Sequence, residues 1–320
     1  MKLKLGSHVL VTGAAGFIGS HLVERLRSMG LEVVGIDNFV NGYEENLSAL
    51  KEDRGFRLMR GDILNLKHLS RACEGVDSVI HMAAQPSVAR SAEDPVEDFE
   101  VNAAGTLNVL ECARKGDVRA VLFASSSTVY GEAKLPTSED HPLRPISNYG
   151  ASKAAAEVYC SSYSSLYGLR TASLRYFNIY GPRSRKGVMF DLLEKLRRDR
   201  ERLEVLGTGK QEKDYLYIDD AVDATLLVAE KGRLRGEAYN VGSGVAYTVR
   251  ELAMSLLRIL GLGGRTKVIC KGGLSWPGDV QRTRADISKL GKLGFAPKVE
   301  LERGMRTFVD WYQSEYGRIV

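Results

Sequence analysis

Cysteine is scarce in this chain: Cys73, Cys112, Cys160 and Cys270 are the only four in 320 residues, with no Cys-x-x-Cys and no clustered histidine partner. Such spacing argues against a zinc site, any other metal centre or a disulfide framework, and it fits a reducing cytoplasm. Long apolar runs are missing as well. Without a stretch of about 18 apolar residues, no membrane span is expected. Charge of one sign is not in excess: 45 Lys+Arg against 40 Asp+Glu leave +5. The densest basic stretch, 194–204, interleaves acids with bases and reads as a solvated helix face, not a nucleic-acid patch. The small positive bias favours an anionic small substrate. Internal repeats, low-complexity tracts and flexible linkers are absent too, so the lobes of the chain are expected to pack closely.

What is present is an ordinary globular composition, 44% hydrophobic and 27% charged, in a chain long enough for one large domain and a smaller one. Short β-rich runs at 8–12, 32–36, 56–59, 78–82, 120–124 and 171–175 alternate with helical patterns, beginning with a helix over about 16–29. This alternation predicts an α/β fold of Rossmann type, a doubly wound parallel sheet built from βαβ units. Two long helical stretches, about 95–114 and 152–166, are expected to cover the sheet and to supply a homodimer face. Beyond about Phe177 the elements become shorter and richer in turns. This half reads as a smaller, mixed α/β substrate-binding lobe. The expected division is 1–176, with a return segment around 215–242, for the nucleotide-binding domain, and 177–214 with 243–320 for the lobe.

The N-terminus, with Lys2 and Lys4 before an apolar run, imitates a short signal peptide. Its glycines argue otherwise. Gly13, Gly16 and Gly19 lie between a strand and an amphipathic helix, where tight backbone lets a pyrophosphate approach the positive helix N-terminus. Asp37, 18 residues after Gly19 at the end of the next strand, stands near the spacing at which a carboxylate accepts from an adenine-ribose hydroxyl. A carboxylate there repels a 2′-phosphate, so NAD is the expected cofactor. Asp62, after the third strand, reaches towards the adenine by the same topology.

Tyr149 and Lys153 fall at i and i+4, so on a helix their side chains share one face. The spacing alone is weak, since the chain holds 14 tyrosines and such pairs arise by chance. Its position gives it meaning. A phenol near an ammonium and a bound nucleotide is a candidate base, and bringing its pKa from about 10 to 7 requires roughly 4 kcal/mol of phenolate stabilisation. Upstream, Phe123-Ala-Ser-Ser-Ser-Thr-Val-Tyr130 ends the fifth strand at the carboxyl edge of the sheet, where ligands of open α/β folds bind.

With Gly13-x-x-Gly16-x-x-Gly19, Ser125-Ser-Ser-Thr-Val-Tyr-Gly131 and Tyr149-x-x-x-Lys153 in this order, the chain resembles the extended short-chain dehydrogenase/reductase family, and within it the UDP-glucose 4-epimerases and related nucleotide-sugar 4-epimerases. Family blocks match throughout, including His81-Met-Ala-Ala84, Val101-Asn-Ala-Ala-Gly-Thr106, Leu174-Arg-Tyr-Phe-Asn178, Asp214-Tyr-Leu-Tyr-Ile-Asp-Asp220, Tyr239-Asn-Val-Gly242 and Pro277-Gly-Asp-Val280. The resemblance implies Tyr149 as base, Lys153 as its pKa-lowering partner and nicotinamide-ribose anchor, and Ser126 as the hydroxyl that orients the sugar 4-oxygen. It implies a cofactor set of Gly13, Gly16, Phe17, Ile18, Gly19, Asp37, Asn38, Asp62, Ile63, Ala83, Ala84, Asn102, Ser125 and Tyr176, besides Tyr149 and Lys153. For the UDP-sugar it implies Ser126, Ser127, Tyr149, Asn178, Arg183, Val188, Lys213, Asp279, Arg282 and Thr283. The implied reaction is reversible oxidation of the sugar at C4, rotation of the 4-keto sugar and reduction from the other face.

Related sugar dehydratases place Asp-Glu where Ser127-Thr128 stand here, and UDP-glucuronate decarboxylases a Glu at position 128, so the hydroxyls favour simple 4-epimerisation over those two reactions. An NAD-sensing binding protein on the same fold is the non-enzymatic alternative. Two departures bear on the substrate reading: Lys213 stands where the family carries a diphosphate-binding arginine, and Trp276-Pro277 where it carries a second. A lysine neutralises phosphate but lacks the planar fork of arginine, which leaves Arg183 or Arg282 as replacements. Thr283 falls where the family limits room for a 2-acetamido group, so its small side chain predicts entry of UDP-N-acetylhexosamines.

Overall fold

The computed structural model describes residues 6–273 and 278–319. Among the described residues the strands run β1 (His8–Thr12), β2 (Glu32–Asp37), β3 (Phe56–Arg60), β4 (Ser78–His81), β5 (Ala120–Ser126), β6 (Arg170–Tyr176), β7 (Asn178–Tyr180), β8 (Arg202–Val205), β9 (Glu212–Tyr217), β10 (Glu237–Val241), β11 (Ala246–Thr248) and β12 (Lys267–Cys270). Seven of them form one parallel sheet in the order β10-β6-β5-β4-β1-β2-β3. The order reverses between β1 and β4, and a cleft opens at the carboxyl ends of strands beside such a switch point.

Period-two alternation explains why both faces are covered. Val9 and Val11 of β1, with Ala120 and Leu122 of β5, enter one apolar cluster; Leu10, Val121 and Phe123 enter the other. Both clusters are buried, so these strands read as continuous hydrophobic runs. The helix Phe17–Ser28 starts directly after the glycine turn and ends with Arg25 and Arg27, whose charges suit the negative helix end.

The expected helix over 95–114 is not regular. Pro95 opens it, with the Asp94 side chain accepting from the Glu97 amide, but Glu100–Ala104 widens to a π turn before the helix Gly105–Lys115 resumes. At that turn the Thr106 hydroxyl donates to the Asn102 carbonyl at 2.6 Å, and the Asn102 side chain points inward. Such bulges gather at functional sites. The second long helix, Asn148–Tyr167, starts four residues earlier than expected, capped by Ser147 and closed by left-handed Gly168. Tyr149 and Lys153 therefore both lie within its first two turns.

The remaining strands form two small sheets, β11-β9-β7 and β12-β8. β10 returns to the edge of the large sheet, parallel to β6, and the helix Ile218–Lys231 between them lies against Phe17–Ser28, tied by the Arg25–Asp223 ion pair. No described helix is long and apolar enough to cross a membrane.

Candidate active site

One cavity of about 620 Å³ runs along the carboxyl edge of the large sheet. Its floor is the glycine turn. Gly13 has φ +66°, and a Cβ there would stand 2.7 Å from the Ala83 backbone nitrogen; at Gly19 a Cβ would stand 2.0 Å from the Gly13 carbonyl oxygen. Only glycine keeps the strand end, the turn and the helix start this close. The resulting concavity, walled by bare backbone at a helix N-terminus, fits a dinucleotide pyrophosphate.

Asp37 braces that turn from β2. Its carboxylate accepts from the Ala15 amide at 2.9 Å and from the Phe39 amide at 2.8 Å. Burial pushes its carboxyl above the usual range while the amides of Phe39, Ala15 and Gly16 hold it down. A carboxylate has about four lone-pair directions, so room is left for ribose hydroxyls. Asn38 donates to Asp62 at 2.9 Å, joining the ends of β2 and β3. Of the expected cofactor set, Gly13, Gly16, Phe17, Ile18, Gly19, Asp37, Asn38, Asp62, Ile63, Ala83, Ala84, Ser125, Tyr149, Lys153 and Tyr176 line the cavity. Asn102 does not. It lies behind the wall, donating to the Gln85 carbonyl at 3.0 Å and to Asp98 at 2.9 Å and accepting from the Gln85 amide at 3.0 Å, so its amide is consumed by the fold.

At the other end of the cavity stand Ser126, Tyr149 and Lys153. The buried Lys153 ammonium donates to the Ala124 carbonyl at 2.9 Å and sits 4.9 Å from the Phe123 ring centre and 5.9 Å from that of Tyr149. Its bond goes to a neutral carbonyl and not to a carboxylate, and burial draws its pKa down to about 8. Burial pushes the Tyr149 phenol up to about 12, opposed by a hydrogen bond with Ser126. Ser126 also accepts from the Thr128 amide at 3.2 Å and hydroxyl at 3.0 Å. These bonds fix the Ser126 oxygen beside the phenol and leave its own proton to donate.

His81, one strand away, is excluded as a competing base. It lies between Thr12 at 2.7 Å and Thr106 at 3.1 Å, and burial drives its pKa down to about 3. Because the Thr106 hydroxyl proton goes to the Asn102 carbonyl, Nε2 carries the imidazole proton and Nδ1 accepts from Thr12.

The expected sugar-nucleotide residues divide. Ser126, Tyr149 and Arg183 line the cavity; Ser127, Asn178, Val188, Lys213, Asp279, Arg282 and Thr283 do not. Val188 opens the helix Val188–Arg198 next to the lining residue Gly187. Most of the rest gather around the start of β9: Lys213 pairs with Asp279 at 2.6 Å, Arg282 with Glu212 at 2.9 Å, the Thr283 amide donates to the Glu212 carbonyl at 2.8 Å, and Asn178 donates to the Asp214 carbonyl at 2.9 Å. The Lys213 charge is thus neutralised by a neighbour from the same set. Arg183 is held by Glu24 at 2.6 Å and Ser20 at 3.2 Å, with φ +71°. Trp276 and Pro277 lie outside the described residues.

The cavity also holds residues that sequence spacing does not suggest: Gln85, Arg90, Arg185 and Lys186 among them. Arg185 lies 4.0 Å over the Tyr43 ring, and Lys186 donates to Asn41 at 2.6 Å. Residues 183–187 thereby reach over the cleft towards the segment after β2. The Ser184-Arg-Lys-Gly187 turn is the only local signal of it.

Comparison with known proteins agrees with this geometry. The NAD dependent epimerase/dehydratase family matches residues 9–242. The UDP-glucose 4-epimerase of Mycolicibacterium smegmatis is 37% identical over 316 residues, 96% of this chain and 98% of that protein. The Thermus thermophilus UDP-glucose 4-epimerase, solved in complex with NAD, superposes with a TM-score of 0.86 at 37% identity over 96% of this chain and 99% of its own. The Thermotoga maritima UDP-glucose 4-epimerase, solved with UDP-glucose, gives 0.88 at 36% identity, again over 96% and 99%.

Proposed function

The chain belongs to the NAD dependent epimerase/dehydratase family, and from that membership we propose that it is an NAD-dependent 4-epimerase interconverting UDP-glucose and UDP-galactose. One observation carries the reading: Ser126, Tyr149 and Lys153 meet at the end of the cofactor-shaped cleft, while positions 127 and 128 beside them hold hydroxyls where elimination would need carboxylates. Tyr149 takes the proton of the sugar 4-hydroxyl, Ser126 orients the 4-oxygen, and the Lys153 ammonium stabilises the phenolate and anchors the nicotinamide ribose. NAD, when bound, supplies reversible oxidation at C4. Once the 4-keto sugar, planar only at C4, has turned over, the Tyr149 phenol returns the proton.

In this proposal 1–176 with the return around 215–242 hold the cofactor, and 177–214 with 243–320 hold the sugar nucleotide. Asn178, Arg183, Val188, Lys213, Asp279 and Arg282 receive its uridine diphosphate, the Lys213–Asp279 pair opening to do so. Thr283 leaves space beside C2. Incubating the purified protein with UDP-, dTDP- and GDP-sugars, without added NAD, is expected to yield 4-epimers of UDP-glucose and of UDP-GlcNAc with unchanged mass. Loss of 18 or 44 mass units, which corresponds to water or carbon dioxide, would move the assignment to dehydration or decarboxylation. Absence of UDP-GalNAc would sink the reading of Thr283.

We also propose a homodimer, in the cytoplasm, through the helices near 95–114 and 152–166. Val96, Phe99, Val158 and Leu166 stand on those helices at 58–70% exposure, apolar side chains that a second copy would cover. Sedimentation is expected to give about twice the 35.2 kDa chain mass, and a Val158→Glu variant to sediment as monomer; a monomeric parent protein would refute the proposal.

A further inference from the structure

Behind the catalytic helix lies a carboxylate with no counterion in contact. Asp98 is 1% exposed. One of its oxygens accepts from Gln85 Nε2 and Asn102 Nδ2, each at 2.9 Å, and the other from the Ser152 hydroxyl at 2.7 Å. Burial pushes the Asp98 carboxyl above its usual range, while the Ser152 and Gln85 hydrogen bonds, the Lys153 charge and the Asn102 hydrogen bond favour its ionised form. Its partners belong to the loop after β4, the π turn and the catalytic helix, three segments that all bear on the cleft. Ser152 sits between Tyr149 and Lys153 and also donates to the Tyr149 carbonyl at 3.0 Å.

The other titratable groups facing Tyr149 and Lys153 are accounted for. Glu157, on the same helix, is neutralised by Arg175 at 2.7 Å. Cys160 is a buried thiol pushed up to about 12 by burial, and His81 from β4 is neutral. Arg90 and Glu97 pair with each other at 2.6 Å at the cavity rim. Asp98 is the remaining uncompensated charge among the described residues facing the pair, acting on Lys153 to favour its ammonium and on Tyr149 to disfavour its phenolate.

We propose that Asp98 is a positioning residue for the reaction: a buried counter-charge that keeps Lys153 cationic in its apolar seat and holds Tyr149 as a phenol until positive charge enters the cleft. The roles of Tyr149 and Lys153 in this inference rest on the function proposed above. The assignment explains why a carboxylate, and not an amide, joins Gln85, Asn102 and Ser152. An amide would satisfy the same bonds, because Ser152 can accept where it now donates.

That equivalence supplies the test. In Asp98→Asn, the ultraviolet titration of the Tyr149 phenolate, read on the protein as purified by difference against the same protein carrying Tyr149→Phe, is expected to move to lower pH by about one unit. Both limbs of the kcat profile are expected to move the same way. Ser152→Ala, which deletes a bond and keeps the charge, and Asp98→Glu, which keeps the charge and disturbs the bonds, are expected to leave the titration in place. An unmoved titration in Asp98→Asn, or an equal movement in Ser152→Ala or Asp98→Glu, would overturn the assignment; the two charge-retaining variants decide it should Asp98→Asn not fold. The phenolate signal needs no turnover. A wild-type protein inert towards every sugar nucleotide would therefore count against the proposed function and leave this inference to be judged on the titration.

Discussion

Tyr149→Phe is expected to lower epimerase turnover by about 10³-fold, within the range of 10²–10⁴ for a positioned acid–base group, while leaving NAD bound. The substitution removes one oxygen from the cleft and nothing else. The ring, its approach to Lys153 at 5.9 Å and the helix cap at Ser147 do not depend on the hydroxyl. With the phenol pushed up to about 12 by burial, the pair rests at neutral pH as phenol and ammonium. Bringing the phenol to neutrality takes on the order of 7 kcal/mol, reduced by whatever solvent in the open cleft screens. Lys153 and the Ser126 hydrogen bond are the protein's contributions to that difference, and a cationic nicotinamide ring adds to them. Turnover assayed with UDP-galactose, together with NAD counted per chain after denaturation, separates the outcomes. Activity near the parent level would refute the base assignment, whereas loss of bound NAD would mean that the hydroxyl serves the cofactor instead.

The second large effect concerns stability. Arg175 and Glu157 form a buried pair, each side chain 6% exposed, joined by bonds of 2.7, 2.9 and 3.1 Å. Ser125 donates to Glu157, and Arg175 reaches the Tyr130 hydroxyl and the Glu139 carbonyl, each at 2.9 Å. Tyr130 passes the chain on to Asn240 at 2.6 Å. The network thus links the serine-ended β5, the catalytic helix, β6 and β10. Arg175→Leu strands a carboxylate in the core, which costs about 3–5 kcal/mol, and the melting temperature is expected to fall by roughly 10 °C. Adding Glu157→Leu removes the stranded charge, so the double variant is expected to regain much of that loss. It should not regain all of it, since Ser125, Tyr130 and the Glu139 carbonyl lose partners. Calorimetry on the single and double variants measures the coupling; additive losses would show that the two side chains do not act as a pair.

Much of the cleft was legible in the primary structure because its chemistry is local. A phosphate turn needs glycines within seven residues, an i,i+4 pair needs one helix, and Asp37 needs only the end of the next strand. Less legible was the work those residues do inside the fold. Asp37 holds the Ala15 amide, and Asn102, expected at the cofactor, spends its amide on Gln85 and Asp98. The π turn at 100–104 breaks a helix whose apolar periodicity runs on unbroken, and there Asn102 turns inward to Gln85 and Asp98, a pairing that apolar periodicity does not encode. Arg282 and Arg183, proposed as diphosphate ligands, are also engaged within the fold, by Glu212 and by Glu24 with Ser20. Arginines announce charge, and tertiary neighbours decide where it is spent.

The sequence alone determined the parallel α/β sheet, the dinucleotide turn and the pairing of Tyr149 with Lys153, since each follows from periodicity or spacing over a few residues. Only the tertiary structure decided the electrostatic setting of that pair. It brought Asp98 behind the catalytic helix from 55 residues before Lys153 and neutralised Glu157 with Arg175. The reason is physical: backbone hydrogen bonds and apolar stripes are encoded over one or two turns, whereas a pKa depends on every charge and every lost water within several ångströms, whatever their distance along the chain.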